Sequence, residues 1–339
     1  MKHDLIIRGG KLVTATETYT ADIGIKDGRI ATLGEDLDGN DIINADKKLV
    51  MPGGIEAHCH IAQESANGIM TSDDYETGSI SAAFGGNSCF VPFAAQKKGE
   101  SIASTIAEYD RRAETKSVID YSYHLILTDP NENVMNELPS AFERGITSFK
   151  VFMTYATRVS DAQFLDILTI ARRHGGLTMV HAENHDMLSW MSNALTQAGY
   201  TEPRYHAPAR PSLAEEEAIN RAISLSKLAN APLMIVHVST PKGAELVARA
   251  RMDGAFVFGE TCPQYLFLTR DDIDRPNLEG AKYICSPPLR DVSTQEALWR
   301  HVAGGTFSVV SSDHAPYRFD ETGKFSNGRD VDFRSFANG

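Results

Sequence analysis

The sequence of 339 residues lacks several features that would place it in a specialised class of protein. Its four cysteines form no CxxC pair and no dense framework, which predicts free thiols and a cytoplasmic protein rather than a disulfide-stabilised secreted one. The N-terminus has no signal-type apolar core, and no apolar run is long enough to span a bilayer. The net charge is −12, from 33 basic and 45 acidic side chains, and no basic stripe is visible. We therefore expect neither a nucleic-acid nor a membrane partner.

The first part of the chain has the pattern of short strands joined by turns. The segments Asp4–Arg8 and Lys11–Thr14 flank Gly9-Gly10, and two further apolar runs flank Asp27-Gly28, which is a strong hairpin signal. The β character continues to the Pro-Gly-Gly that begins at Pro52. Residues 1–52 are therefore predicted to form a small β domain.

From residue 53 onward the pattern changes to strands that alternate with helices. Eight strands are predicted, at Ile55–Ile61, Ser88–Ala94, Tyr121–Leu127, Thr147–Met153, Leu177–Ala182, Leu233–Ser239, Ala255–Gly259 and Phe307–Asp313. Amphipathic stretches between them predict helices, for example at Ser101–Lys116, Asp161–His174, Ser212–Leu228 and Lys242–Asp253. This alternation predicts parallel strands with helices outside, and eight strands favour a closed α/β barrel over residues 53–339.

The end of the sequence does not complete an element of this barrel. Residues 317–339 are polar and Gly-rich, whereas a barrel of this type normally places a helix after its eighth strand. We therefore expect that the chain is truncated at its C-terminal end.

Five of the predicted strands end in side chains that can hold metal ions. The residues concerned are His58, His60, Lys150, His181, His237 and Asp313. Since the C-terminal ends of parallel barrel strands meet at one face, we expect these side chains to converge on a single site. His58 and His60 point to the same side of their strand because the side-chain period is two, so both can bind one ion.

Each of these residues also has an ordinary structural interpretation. An isolated His-X-His pair, or an isolated His181 or His237, is more often a hydrogen-bonded core or surface histidine. Lys150 could reach solvent or form a salt bridge, and Asp313 could cap the following segment. A buried lysine with a lowered pKa can instead add CO₂ and become an anionic carbamate, and the other ligand candidates favour that hypothesis. His206, like His3, lies in a terminal or loop context and is predicted to be a surface residue.

Eight segments of the chain, taken together, resemble a known family. They are L-I-I-R-G-G-K-L-V-T, V-M-P-G-G-I-E-A-H-C-H, T-S-F-K-V-F-M-T-Y, M-V-H-A-E-N, I-V-H-V-S-T, E-T-C-P-Q-Y-L, C-S-P-P-L-R and S-S-D-H-A-P. In this order they resemble the hydantoinase/dihydropyrimidinase family of cyclic amidohydrolases. The resemblance implies a TIM (β/α)₈ barrel and a β-sandwich-like domain built from both termini. It also implies a homo-oligomer, a dimer or tetramer.

The resemblance further implies a metal-dependent hydrolase that opens a dihydropyrimidine or 5-substituted hydantoin ring to an N-carbamoyl amino acid. It implies two divalent metal ions, usually zinc, bridged by a hydroxide that is the nucleophile and by Lys150 carboxylated on its amine. His58, His60 and Asp313 would hold one ion, and His181 and His237 the other. The family pattern also implies that Tyr155 binds the substrate oxygen, that backbone groups near Ser286 and Asn338 hold the ring amide, and that Asp313 moves the proton.

Related families remain alternatives at this point. Dihydroorotases share the metal ligands but place an Arg where this chain has Ala62, and allantoinases commonly have Asn there. Non-catalytic scaffold relatives have lost metal ligands, whereas this chain keeps the whole set. The sequence departs from the hydantoinase pattern at Glu56, where an Asp is more usual, and in the polar loop of residues 62–72.

Overall fold

The computed structural model describes residues 2–65 and 68–336, and the chain divides into two compact units, Met1–Gly54 and Ile55–Gly339. The first unit is a mixed five-stranded sheet. Its strands are β1 His3–Val13, β2 Thr18–Lys26, β3 Arg29–Gly34, β4 Gly39–Asn44 and β5 Leu49–Val50. β1 pairs antiparallel with β2 and parallel with β4 and β5, and β2 pairs antiparallel with β3. The predicted domain boundary after residue 52 stays a prediction.

The two glycine signals in this sheet have different outcomes. Asp27 and Gly28 form the predicted hairpin, and their φ angles of 50° and 70° suit a tight two-residue turn. Gly9-Gly10, in contrast, does not separate two strands. The register of β1 against β2 shifts between Ile7 and Gly10, so one extra residue is absorbed as a bulge within a single 11-residue strand.

The second unit contains a nearly closed barrel of eight parallel strands, which confirms the predicted fold class. The barrel strands are β6 Gly54–Cys59, β7 Asn87–Ala95, β9 His124–Ile126, β10 Ser148–Phe152, β11 Leu177–His181, β12 Leu233–Ile235, β13 Val257–Thr261 and β14 Val309–Val310. They are neighbours in chain order from β6 to β14, apart from β8 Asp120–Tyr121, which pairs with β7. The barrel closes between its first and last strands through the bridge Cys59–His314.

The third predicted strand is interrupted, and a proline in its neighbour explains why. β8 and β9 pair with β7 in one continuous register, with Phe90 opposite Tyr121 and Phe93 opposite His124. This register places Pro92 opposite Tyr123. Proline has no backbone N–H to donate, so the ladder is broken between the two segments.

Helices surround the barrel strands. They are α1 Tyr75–Phe84, α2 Ile102–Ala113, α3 Glu132–Glu143, α4 Asp161–Arg173, α5 His185–Gln197, α6 His206–Ala209, α7 Ser212–Ala229, α8 Pro241–Met252, α9 Pro263–Phe267, α10 Arg270–Ile273 and α11 Val292–Ala303, with short 3₁₀ turns at Pro203–Tyr205 and Glu279–Tyr283. The four predicted helices are present with small differences at their ends. None of the helices in the described ranges combines the length and apolar character needed to cross a membrane.

Two apolar clusters position the site. The larger one includes Cys59 on β6 together with residues of the surrounding helices such as Ile106 and Leu168. The smaller one includes Phe93, Met179 and other strand residues that are buried together. Cys59 packs into the larger cluster, whereas the rings of its neighbours His58 and His60 lie against Phe93 of the smaller one, with centroids 4.8 and 5.0 Å apart.

Candidate active site

The six predicted ligand residues lie around one cavity of about 1480 Å³. His58 lies in β6, His60 is the first residue after this strand, and His181 is the last residue of β11. Lys150, in contrast, is the central residue of β10 rather than its end. The common cavity brings together the six side chains that the sequence pattern predicted to converge.

The strands that carry His237 and Asp313 are shorter than predicted, and the backbone explains this. β12 ends at Ile235 and β14 at Val310. His237 and Asp313 have φ angles of 40° and 50°, in the left-handed region that interrupts a strand ladder. Tyr155 shares this property, with φ 70°. Backbone of this kind costs of the order of 1–3 kcal/mol per residue and concentrates at functional sites.

His58, His60 and Asp313 form a compact group. One ligand atom from each lies within 4.8 Å of the others, and Asp313 Oδ1 is 3.0 Å from His58 Nε2 and 3.2 Å from His60 Nε2. Donors that surround a tetrahedral zinc ion are about 3.3 Å apart, given bonds of about 2.0–2.1 Å. The spacing of the three side chains therefore fits one divalent ion.

Two nitrogen atoms support this fit because they are buried without a hydrogen bond. They are His58 Nε2, whose contact with Asp313 lacks hydrogen-bond geometry, and His237 Nδ1. An unsatisfied buried polar atom costs about 1–3 kcal/mol, and binding of a metal ion is one way in which such an atom is satisfied. His237 also connects the two halves of the site, with its ring centroid 5.6 Å from that of His58 and 4.6 Å from that of His181.

Electrostatics keeps several of these groups in the states that metal ligands require. Burial lowers the pKa of both His181 and His237, so both imidazoles are neutral. Burial raises the pKa of Asp313, but His58 and His60 outweigh it and hold that pKa well below its usual range. Burial lowers the pKa of His58, but the carboxylates of Glu260 and Asp313 outweigh it and raise the pKa to about 9. The surroundings of His58 therefore favour a positive charge.

Lys150 is buried in an unusual environment for an amine. Its side chain is 1% exposed, and Nζ lies 4.7 Å from the ring centre of Phe93 and 5.4 Å from that of Phe152. Nζ forms no hydrogen bond or ion pair with the residues that the structure describes. Burial lowers its pKa from 10.5 to about 8. A substantial fraction of the amine is therefore neutral and nucleophilic near neutral pH.

The residues predicted to bind substrate are only partly described. Tyr155 and Ser286 line the same cavity as the ligand candidates, and the Tyr155 ring centroid is 5.1 Å from that of His181. Burial raises the pKa of Tyr155 to about 12, which keeps its hydroxyl protonated as a donor. Asn338 lies outside the described residues.

Sequence reasoning missed one carboxylate at the centre of the site. Glu260 Oε1 accepts hydrogen bonds from His58 Nδ1 at 2.7 Å and from the backbone N–H of His237 at 3.0 Å. Glu260 lies near the end of the buried strand β13, like the predicted ligands, so its position in E-T-C-P could have identified it. It fixes the ring of His58 and the turn that carries His237.

A second carboxylate ties the first strand to the last. Glu56 Oε1 accepts from the backbone N–H of His58 at 2.9 Å, and both of its oxygens lie within 3.2 Å of the backbone N of Ser312. Glu56 therefore joins the two ends of the barrel, next to His58 on one side and Asp313 on the other.

Two histidines predicted to lie on the surface are buried. His206 is 4% exposed and His3 is 3% exposed. His206 Nε2 bonds the backbone carbonyl of Cys285 at 2.9 Å and lies 3.3 Å from Ser286 Oγ, at the wall of the cavity. Its loop context in sequence gave no sign of this packing, because the partners lie about 80 residues further along the chain.

Comparisons with known proteins agree with this geometry. The chain is 42% identical to the D-hydantoinase of Geobacillus stearothermophilus, over 98% of this chain and 71% of the relative. It is 36% identical to the D-phenylhydantoinase of Escherichia coli O81, over 99% and 72%. The crystal structure of dihydropyrimidinase from Brevibacillus agri superposes with a TM-score of 0.95 and 42% identity, over 100% of this chain and 73% of that one. No family model matches the chain.

These relatives do not favour the allantoinase or dihydroorotase alternatives, and the fold resemblance predicted from the eight sequence segments is confirmed. The family indicates a binuclear metal centre, in keeping with the cluster of His58, His60 and Asp313. The chain belongs to the hydantoinase/dihydropyrimidinase family of the amidohydrolase superfamily and is a metal-dependent cyclic amidohydrolase.

Proposed function

We propose that this enzyme binds two zinc ions and opens a 5-substituted hydantoin or a dihydropyrimidine to an N-carbamoyl amino acid. The observation that carries the proposal is the convergence of His58, His60 and Asp313, within 4.8 Å of one another, on a cavity that also contains Tyr155. These three residues would hold one ion. His181 and His237, both neutral because burial lowers the pKa of each, would hold the other.

Carboxylated Lys150 would bridge the two ions. Only a neutral amine adds CO₂, and the pKa of Lys150 near 8 supplies that form under physiological conditions. The product carbamate is an anion with two oxygens. A lysine that stayed cationic would repel the ions, whereas the carbamate converts the same side chain into a bidentate ligand. This chemistry accounts for a buried amine that has no ion-pair partner among the described residues.

The protein side chains then divide the reaction between them. When bound, the ions would lower the pKa of a water molecule towards neutrality and polarise the substrate carbonyl. Asp313 would take a proton from the attacking water and return it to the leaving ring nitrogen. The protonated Tyr155 hydroxyl would donate a hydrogen bond to the oxyanion as it forms. Backbone groups at Ser286 would hold the ring amide, and Asn338 is proposed for the same role from the family pattern.

A substrate screen with metal analysis tests this function. Both enantiomers of several 5-substituted hydantoins, dihydrouracil, allantoin and dihydroorotate are assayed with the same metal-loaded preparation, and metal content is measured by elemental analysis. We expect two ions per chain and turnover of hydantoins or dihydrouracil, with a preference for D-hydantoins because several relatives at about 42% identity carry that name. Asp313→Asn is the inactive control. Faster turnover of allantoin or dihydroorotate, or a folded protein without metal, contradicts the proposal.

Two further properties are proposed together with this function. We infer a homo-oligomer, a dimer or tetramer, from the family pattern, and sedimentation analysis tests it. We infer a cytoplasmic location because all four cysteines carry free thiols, which is the state that a reducing compartment maintains.

A further inference from the structure

An arginine that the mechanism does not use lies against the proposed oxyanion donor. Arg210 lies between α6 and α7, its side chain is 12% exposed, and it lines the same cavity as the ligand candidates. Its guanidinium carbon lies 5.3 Å from the centre of the Tyr155 ring. A guanidinium over an aromatic face attracts the ring electrostatically and restricts its position.

Glu183 anchors the other side of this guanidinium. Its side chain is buried, and Oε2 accepts a short hydrogen bond from Arg210 Nη1 and a second one, at 2.6 Å, from His181 Nε2. One buried carboxylate oxygen therefore connects a proposed metal ligand to the arginine that contacts Tyr155.

The backbone of Arg210 is also fixed from outside the cavity. Arg290 Nη1 donates to the carbonyl oxygen of Arg210 at 2.6 Å, and Arg290 Nη2 pairs with the buried Glu215 at 3.0 Å. Glu215 in turn accepts from the backbone N–H of Ser239, in the turn that follows His237. Arg210 is thus held at its main chain and at its guanidinium, as expected for a group that sets the position of another.

We propose that Arg210 is a positioning residue that orients Tyr155 relative to His181, so that the tyrosine hydroxyl meets the oxyanion as it forms. The inference rests on the proposed role of Tyr155. Tyr155 needs such support because its loop is strained, with φ 70° at this residue. A simple structural ion pair would stabilise the fold equally in all steps of the reaction, whereas a positioning residue affects turnover through Tyr155 alone.

A double-mutant cycle separates these two roles. Arg210→Gln, Tyr155→Phe and the double variant are prepared with metal, and kcat, KM, metal content and thermal stability are measured for each. Since misplacement of a catalytic group by about 1 Å can cost about 10²-fold, we expect Arg210→Gln to lower kcat about 10- to 100-fold with little change in KM or metal content. In the Tyr155→Phe background the same substitution should change kcat less than threefold, because the group it positions is already lost.

Two further variants keep the result interpretable. Arg210→Lys retains the charge and should recover part of kcat, and it serves as the test if Arg210→Gln does not fold. Arg221→Gln removes an arginine that pairs with Asp161 and Glu217 outside the cavity, and should keep wild-type kcat.

The outcomes distinguish this inference from the proposed function. An active wild-type enzyme with an unchanged kcat in Arg210→Gln overturns the positioning role and leaves the function intact. The same holds if the Arg210→Gln and Tyr155→Phe effects multiply, because Arg210 then acts independently of Tyr155. A metal-loaded wild-type enzyme that turns over none of the cyclic amides overturns the proposed function and, with it, the role of Arg210.

Discussion

Glu260 gives the sharpest test of how the metal centre is built. Its Oε1 accepts both from His58 Nδ1 and from the backbone N–H of His237, so one buried carboxylate orients residues of both proposed metal sites. Glu260→Gln can keep both hydrogen bonds through the amide oxygen, but it removes the negative charge. Glu260→Ala removes both the charge and the hydrogen bonds. The pair of variants therefore separates electrostatics from orientation.

The expected loss of metal affinity follows from the charge of Glu260 and from the two hydrogen bonds that it accepts. Loss of the carboxylate lowers the pKa of His58, so a proton competes less with the metal ion for this histidine. The carboxylate attracts a divalent cation more strongly than a proton, however, so the net effect is weaker metal binding. Groups that orient metal-binding histidines typically contribute 10- to 100-fold in metal affinity, which is about 1.4–2.7 kcal/mol. We expect about a tenfold weaker affinity in Glu260→Gln and about 100-fold in Glu260→Ala.

Competition with a chelator of known affinity measures the change, and circular dichroism verifies the fold of each variant. Glu137→Gln is the control, since Glu137 Oε2 also accepts from a backbone N–H, that of Ile102 at 2.7 Å, but neither residue lines the cavity. Its metal affinity should stay within threefold of the wild-type value. Wild-type affinity in both Glu260 variants would refute the role assigned to this carboxylate.

Four further predictions concern the proposed ligand, carbamate, oxyanion and proton roles. Lys150→Ala should lose the second ion and nearly all activity. Short carboxylic acids should partly restore both, as measured by metal analysis and by the reaction rate. At a fixed concentration of dissolved CO₂, metal-depleted wild-type enzyme should regain activity with zinc faster at pH 8.5 than at pH 7, because the neutral amine fraction of Lys150 rises through its pKa of about 8; equal rates would contradict carbamate formation. Tyr155→Phe should lower kcat about 10²–10³-fold with unchanged metal content, and Asp313→Asn should lower kcat by a larger factor than metal affinity.

Much of the site was predictable because strand alternation is a local property. The period of two places His58 and His60 on one face and Cys59 on the other, whatever surrounds the strand. Apolar runs that end near Lys150 and His181 likewise point to barrel strands, since parallel strands in a barrel are buried. The hairpin at Asp27-Gly28 needs only two residues that tolerate positive φ.

Other features depend on partners that are distant in sequence, and only the tertiary structure determines them. Glu260 meets His58 across 202 residues, and Glu56 meets Ser312 across 256. No local sequence pattern indicates these contacts, because closure of the barrel brings the partners together. The interruption between β8 and β9 likewise depends on the neighbouring strand β7, which places Pro92 opposite it. The sequence by itself therefore determines which side chains can face the site, whereas packing between distant segments brings Glu260 and Arg210 to the positions from which they orient them.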